Sequence, residues 1–492
     1  MDCLYDIKAI RELDRLAMAR EGSSGLTLMA AAGLAGLREL KDRWPQCRRL
    51  SVVCGQGNNA GDGYVLAHEA RATGMDVTVI QVGSTERLSA HARACYEKMR
   101  AADLNPQEEL DAIASADVIV DALFGIGLNR EIDGAFRTAV EHINRALAPV
   151  VSLDIPSGLQ ASTGFSLGCT VQATLTVTFI GLKQGLYTAD GPAYAGDVVL
   201  DDLGVGSTLL TKVPATATLI GESYIKRNIR ARKRTAHKGD HGHVLLVGGA
   251  PGYVGAIRLA SEAAARSGSG LVSVAAHPEV ANYVNVGYPE LMVHATTSPD
   301  DIAGLLQKVD CVAIGPGLGR SQWAIDLFAR VVSAKLPLVV DADALNLLAE
   351  EPIRRENWVL TPHPGEASRL LDVTTHQIHA DRFAAAAQLC DKYGGDVVLK
   401  GAGSIVTGGG APDVLSGGNP GMGSGGMGDV LTGIIAALIA QGCSVLEAAR
   451  LGACVHAAAG DRAALDGERG MLASDLLPHI RTLVNEIEKR IG

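Results

Sequence analysis

Apolar residues recur at helical spacing over 9–19 and again over 28–40, which predicts two helices early in the chain. Short apolar runs then take over. Arg49–Cys54 reads as a buried strand, and 76–82 (DVTVIQV), 117–121 (DVIVD) and 150–154 (VVSLD) as three more, with a helix predicted over 64–73. Strands separated by helix-length segments predict a parallel sheet with crossover helices. Ligands of such sheets gather beyond the carboxyl ends of the strands, where Asp121 and Asp154 fall. The alternation lapses after Gly206, and 226–238 (KRNIRARKRTAHK) concentrates basic side chains, the usual mark of a solvated linker. A second run starts at 243–247 and continues through 310–314, 338–341 and 397–400, each followed by a loop of small residues. No internal repeat relates the two runs. The expectation is two α/β domains, joined within 210–235.

Composition narrows the class. The 492 residues leave room for two to four domains, and 58 glycines with 4% aromatics suit layered α/β packing around nucleotide-type loops. A net charge of −10 lacks the electrostatic footprint of a general nucleic-acid binder. No run reaches the roughly 18 apolar residues of a membrane span, and the charged first residues lack the apolar core of a signal peptide. Nine cysteines without a CxxC pair argue against a disulfide scaffold or structural zinc, so a reducing cytoplasm is the default.

The first loop of interest, GQGNNAGDG (55–63), sits between the first strand and the next predicted helix. Gly55, Gly57 and Ala60 formally satisfy GxGxxG/A, but the acidic residue expected at the end of the second strand is replaced by Gln81-Val82-Gly83. A ligand loop and a tight structural turn are both open readings. Further loops follow the strands ending in Asp121 and Asp154: Gly125 to Glu131 (GIGLNRE) and Asp154 to Gly158 (DIPSG). Asn59, Asp121 and Ser157 offer hard oxygen ligands to an alkali or alkaline-earth cation. Asp154 is a candidate general base or, on the bland reading, a capping residue.

GQGNNAGDG, DALFGIGLNRE, LDIPSGL and TFIGLKQGLY together resemble the YjeF N-terminal family, the NAD(P)H-hydrate epimerases, over residues 1–215. The family pattern is usually GNNGGDG; Ala60 departs from it, and an alanine is tolerated there if its φ is negative. The resemblance implies a Rossmann-like three-layer domain that binds the hydrated dinucleotide through Asn58, Asn59, Ala60, Gly61, Asp62, Gly125, Ile126, Gly127, Leu128, Asn129, Arg130, Glu131 and Asp154. It implies K⁺ at Asn59, Asp121 and Ser157, and interconversion of the R and S epimers at C6. Asp154 is the candidate acid/base, with Lys183 second; a surface lysine is the alternative for Lys183.

In the second run no GxxxxGK[ST] occurs, so a P-loop is not expected. The strongest signal is NPGMGSGGMGDVLTG (419–433), running into an apolar helix over 434–439. Amides around 426–428 can stabilise a transferring phosphoryl group, and Asp429 can take a proton from an attacking hydroxyl. This GxGD arrangement resembles the anion hole of ribokinase-like kinases. With HKGDHGHVLLVGG, YVGA, GPGLG, DADALN, TPHPGEASRLL and KGAGS it resembles the YjeF C-terminal family, the ADP-dependent NAD(P)H-hydrate dehydratases, over 225–492. Both families in this order resemble the bifunctional NAD(P)H-hydrate repair enzymes.

Carried over, the resemblance implies that Ala256, Gly319, His363 and Asp429 contact the S hydrate. Lys400, Gly401, Ala402, Gly403, Ser404 and Gly428 would hold the adenine nucleotide. It implies transfer of the β-phosphate of ADP to the C6 hydroxyl, turning a poor leaving group into a good one, with AMP and phosphate as products and Mg²⁺ accompanying ADP. Asp341, Asn346 and Glu366 are available to that ion, or else serve as capping and supporting groups. His237, His241 and His243 invite a metal site or are simply a histidine-rich strand start. The expected partners are the small molecules NADHX, NADPHX and ADP, with a homo-oligomeric cytoplasmic enzyme and no nucleic acid or membrane. Two other classes stay open: a kinase that accumulates a phosphoester, and a scaffold that lacks turnover.

Overall fold

The computed structural model describes residues 2–20 and 23–486; the outer ends of the two expected domains, 1 and 487–492, lie outside the described residues. The chain divides into two compact units, Asp2–Ala217 and a second from Thr218 onward.

The first unit has β1 (Asp2–Tyr5), β2 (Arg49–Cys54), β3 (Asp76–Gln81), β4 (Val118–Ala122), β5 (Val150–Leu153), β6 (Leu175–Phe179), β7 (Leu182–Lys183) and β8 (Asp197–Asp201). Six of them form one parallel sheet in the order β3-β2-β4-β5-β6-β8, and β1 pairs in parallel with β7. Helices cover both sheet faces. Leu50, Val52 and Cys54 of β2 join one apolar cluster and Val53 joins another, so the strand reads as a continuous apolar run.

The second unit contains β9 (Ala217–Ile220), β10 (His243–Gly248), β11 (Leu271–Ala276), β12 (Met292–Ala295), β13 (Cys311–Ile314), β14 (Leu338–Val340), β15 (Trp358–Leu360), β16 (Asp396–Leu399), β17 (Ile405–Thr407) and β18 (Asp413–Leu415). Their order is β12-β11-β10-β13-β14-β15-β16-β17-β18-β9. Pairing is parallel except where β17 runs antiparallel to β16 and β18. Here too the strands are buried on both faces: Val244 and Leu246 pack into one cluster, Leu245 and Val247 into the other.

The four predicted helices all begin earlier than the sequence pattern suggests, two of them by more than a turn. The helix expected over 64–73 spans Asn58–Ala72, so most of the first glycine motif is helical. The helix expected from 434 spans Met427–Ala440. Glycine is a poor helix former, but these positions need it for close packing. A Cβ on Gly61 would stand 2.3 Å from Met29 Sδ, and one on Gly433 2.0 Å from the Ala260 carbonyl oxygen. The basic stretch also differs from a solvated linker. Its first residues close the helix Glu222–Asn228, and Arg232 donates to Gln441 Oε1 (3.0 Å), so it belongs to the second unit.

Candidate functional site

In the first unit a cavity of about 630 Å³ opens at the carboxyl ends of the strands. Asn58, Asn59 and Asp62 from the start of helix Asn58–Ala72 line it, with Gly125, Ile126, Gly127, Leu128, Asn129 and Arg130 from the loop after β4, and Asp154 after β5. Ala60 and Gly61 do not line this cavity. Ala60 is fully buried in the helix packing, has no left-handed φ, and is therefore accommodated where the family has glycine. Glu131 is exposed beyond the lining. Gln81, which replaces the expected acidic residue, donates to the Gly55 carbonyl (2.8 Å) and accepts from Tyr64 Oη; it ties strand to loop.

Asp154 and Lys183 form the centre of this site. Asp154 takes a left-handed φ of +69°, a strained conformation for a non-glycine residue. Lys183 is 1% exposed, so the surface reading of this residue is overturned. Its Nζ lies 2.5 Å from Asp154 Oδ1 and donates to the Phe179 carbonyl (2.8 Å). A Cβ on Gly125 would stand 3.2 Å from Asp154 Oδ2, so glycine leaves that oxygen open to a ligand.

Asp121, fully buried on β4, lies beneath. Its Oδ1 accepts from Ser157 Oγ (2.6 Å), and its Oδ2 accepts from the Ser157 amide (2.9 Å) and Ser152 Oγ (2.8 Å). Asn59 Nδ2 donates to the Phe124 carbonyl (3.0 Å), whose amide donates to Ser157 Oγ (2.9 Å). Asn59 Oδ1 is buried without a partner. Burial raises the Asp121 carboxyl above its ordinary range, and among the described residues no basic side chain forms an ion pair with it. A buried carboxylate, a hydroxyl and an orphaned amide oxygen make a hard-oxygen set that fits K⁺.

The second unit places Asp429 in the first turn of helix Met427–Ala440. Gly426 caps that helix at φ +93° and offers no capping side chain, so the first amides remain free for an anion. A Cβ on Gly428 would meet Lys400 Nζ at 3.0 Å and Asp341 Oδ2 at 3.4 Å, which puts the helix start against the Lys400 head. Lys400 Nζ pairs with Asp341 Oδ1 at 2.8 Å and lies 3.8 Å from Glu366 Oε2. Burial and the neighbouring Asp341 push the Asp429 carboxyl up to about 7; burial likewise raises Glu366 to about 7. Against the same burial, Lys400 and Thr432 hold Asp341 low.

The other expected residues gather around this cluster. Gly401 (φ +140°) and Gly403 (φ +57°) shape the loop after β16, and Ser404 Oγ accepts from the Gly401 amide (3.2 Å). Ala402 lies exposed between them. His363 caps the helix Pro364–Leu371: its Nδ1 accepts from the Gly365 amide (3.0 Å), while Glu366 accepts from the His363 amide (2.8 Å). Burial, with Lys400 and Arg369 nearby, lowers its pKa, and the acceptor role of Nδ1 leaves the ring proton on Nε2. The Gly319 amide donates to Asp343 (2.8 Å), and a Cβ on Gly317 of the same loop would stand 3.2 Å from that of Ala256. Asp341 is engaged by Lys400 and Thr432, and Asn346 Oδ1 by Arg369 Nε (2.7 Å). Glu366 in turn accepts from the His363 amide, so each of these three candidates has a protein partner. His237 shares a capping box with Asp240, and His243 Nε2 bonds Ser273 Oγ at 2.9 Å.

Sequence reasoning passed over three residues here. Arg382, 1% exposed, donates to the Leu399 (3.1 Å) and Lys400 carbonyls and underlies the Gly401 loop. The Ser424 hydroxyl is buried without a partner in the glycine loop itself. Asp14 lines the first cavity from helix Ile7–Met18. The signal for Asp14 is in the sequence: it shares a helix face with Ile10, Leu13 and Ala17.

Known proteins match both halves. A family model described as YjeF-related protein N-terminus matches residues 25–185, and one described as NAD(P)H-hydrate dehydratase matches 244–482. The bifunctional NAD(P)H-hydrate repair enzyme Nnr of Coxiella burnetii is 46% identical over 489 residues, 99% of this chain and 100% of that one. The structure of a ribokinase-like superfamily protein from Enterococcus faecalis superposes with a TM-score of 0.51 at 28% identity, covering 55% of this chain and 95% of its own. An ADP/ATP-dependent NAD(P)H-hydrate dehydratase from Bacillus subtilis, co-crystallised with ATP and Mg²⁺, gives 0.50 at 24% identity over 55% of this chain and 99% of that one.

Proposed function

This chain belongs to the bifunctional NAD(P)H-hydrate repair enzymes, and on that premise we propose which of its residues carry the two reactions. It interconverts the R and S hydrates of NADH and NADPH and dehydrates the S form. The epimerase site is the first cavity, with Asp154 as acid/base steadied by Lys183. Asn58, Asn59, Asp62 and the loop from Gly125 to Arg130 hold the hydrated dinucleotide. Asn59, Asp121 and Ser157 would hold K⁺, which supplies the positive charge that the buried Asp121 lacks and so fixes the loop after β4 against the strand.

The dehydratase site is the second cluster. Its nucleotide is ADP, bound with Mg²⁺ by Lys400, Gly401, Ala402, Gly403, Ser404 and Gly428. Ala256, Gly319 and His363 position the S hydrate. Asp429 takes the proton of the C6 hydroxyl as that oxygen attacks the β-phosphorus, and the helix-start amides stabilise the transferring phosphoryl group. The C6–O bond then breaks with phosphate as leaving group, the C5 proton is lost, and the dihydronicotinamide ring reforms beside AMP. The observation that carries this assignment is Asp429 in the first turn of a glycine-capped helix whose Gly428 faces Lys400. A homo-oligomeric enzyme of the cytoplasm, without nucleic-acid or membrane partners, belongs to the same proposal; among the described residues no helix is long and apolar enough to cross a membrane.

Separation of function tests the assignment. Asp429→Asn should lower S-hydrate dehydration at least about 10²-fold and leave epimerisation unchanged. Asp154→Asn should do the reverse. A folded variant that loses both activities would show that the two sites are wrongly divided.

A further inference from the structure

The roles above leave one acidic lining residue of the first cavity unused. Asp14 occupies the otherwise apolar face of helix Ile7–Met18, and it shares the cavity with Asp62, Asp154 and Lys183. We propose that Asp14 is the second proton-transfer residue of epimerisation, working opposite Asp154 in role; this rests on the reading of the first unit as an epimerase.

The chemistry calls for two such groups. C6 of the hydrate carries the hydroxyl and is bonded to N1, so it is a hemiaminal carbon. Inversion proceeds when an acid protonates the hydroxyl, the C6–O bond breaks with loss of water, and the N1 lone pair forms the C6=N1 iminium. Water then adds to the other face, the C6=N1 pair returns to N1, and a base takes the proton of the entering water. Nothing is oxidised or reduced. One carboxyl ends a proton poorer and the other a proton richer, and proton return through cavity water resets them. The reverse reaction starts from the exchanged protonation state.

The cavity offers three carboxyl groups, and their surroundings separate them. Asp154 is ion-paired with Lys183 and has Oδ2 facing Gly125, which suits the base. Asp62 is driven well above the ordinary range by burial, then by Asp154 and Asp14, and it sits at the start of helix Asn58–Ala72 among the residues assigned to holding the dinucleotide. Asp14 is raised to about 6 by burial, with Lys183 pulling down and Asp154 pushing up. A group poised there can both give and regain a proton near neutrality. The charged and titratable groups around it are Asp62, Asp154 and Lys183 from other elements, Arg11 on its own helix, and His91 and Arg130 along the cavity.

The test uses the full chain and purified R hydrate. Wild type should epimerise, with kcat/KM falling as pH rises through about 6. Asp14→Asn should lose about 10²-fold or more in kcat with little change in KM, and its residual rate should lack that limb. Dehydration of the S hydrate should be unaffected. Asp14→Glu, which keeps the carboxyl, should recover a substantial part of the rate. In labelled water, each inversion should carry solvent oxygen into C6. Full activity in Asp14→Asn, equal loss in the Asn and Glu variants, or inversion without oxygen exchange would each overturn the proposal. A wild-type protein that dehydrates the S hydrate but never inverts the R form would instead remove the epimerase reading beneath it.

Discussion

Asp429 is the side chain on which the dehydratase account turns, and its surroundings give it a measurable signature. A base must be ionised to act, so kcat/KM for S-hydrate dehydration should rise with pH through about 7, and that limb should vanish in Asp429→Asn. Stability moves the other way. The folded carboxyl binds its proton up to about 7, against an ordinary value of 3.8, so its contribution to folding is lost as pH rises across that window. Asp429→Asn should therefore melt at a higher temperature than wild type at pH 8, with the gap closing toward pH 4. A gap that is constant with pH would contradict the buried placement. At this scale the sequence was informative where residue types carried the chemistry. Asp121, Asn59 and Ser157, far apart in the chain, meet through Phe124 as their loops predicted. Lys183 was hard to place because burying an ammonium group becomes favourable only with a partner such as Asp154, and no spacing in the chain reveals that pairing.

At the scale of elements, the strands were the most legible feature, because both sheet faces are covered and the runs are apolar throughout. The strands that escaped notice include the short β15 and β17, the threonine-bearing β6 and the longer, apolar β11. In β6 the buried Thr176 donates to the Ala195 carbonyl (2.6 Å), which removes the usual penalty of a threonine in the core. Helix starts were misread wherever glycine opens the helix. Those glycines differ in what they tolerate. Gly426→Ala puts a side chain at φ +93° with its Cβ 2.5 Å from Leu259 Cδ1. It should destabilise the second unit by about 1–3 kcal/mol and cut dehydration at least about tenfold while leaving epimerisation alone. Gly57→Ala meets nothing within 4 Å at a φ of −115°, so it should fold normally and act only through the substrate, as a raised KM for the R hydrate. Calorimetry and the two assays read these outcomes.

The whole molecule joins two units, each with its own apolar clusters and its own polar site at strand ends and helix starts. That organisation explains why one chain can treat both epimers of a damaged cofactor: one unit converts the form that the other cannot use. The lapse in alternation after Gly206 lies near the junction of the two units at Ala217 and Thr218. The role of the basic stretch was not legible, because whether arginines project into solvent or pack on their own unit depends on partners such as Gln441 that lie some 200 positions away. The most direct test is to give the purified protein a mixture of R and S NADH hydrates with Mg²⁺, K⁺ and ADP, and follow the return of dihydronicotinamide absorbance. Recovery of both epimers is the expected result. Recovery of the S fraction alone, or accumulation of a stable phosphoester without dihydronicotinamide, would contradict the account.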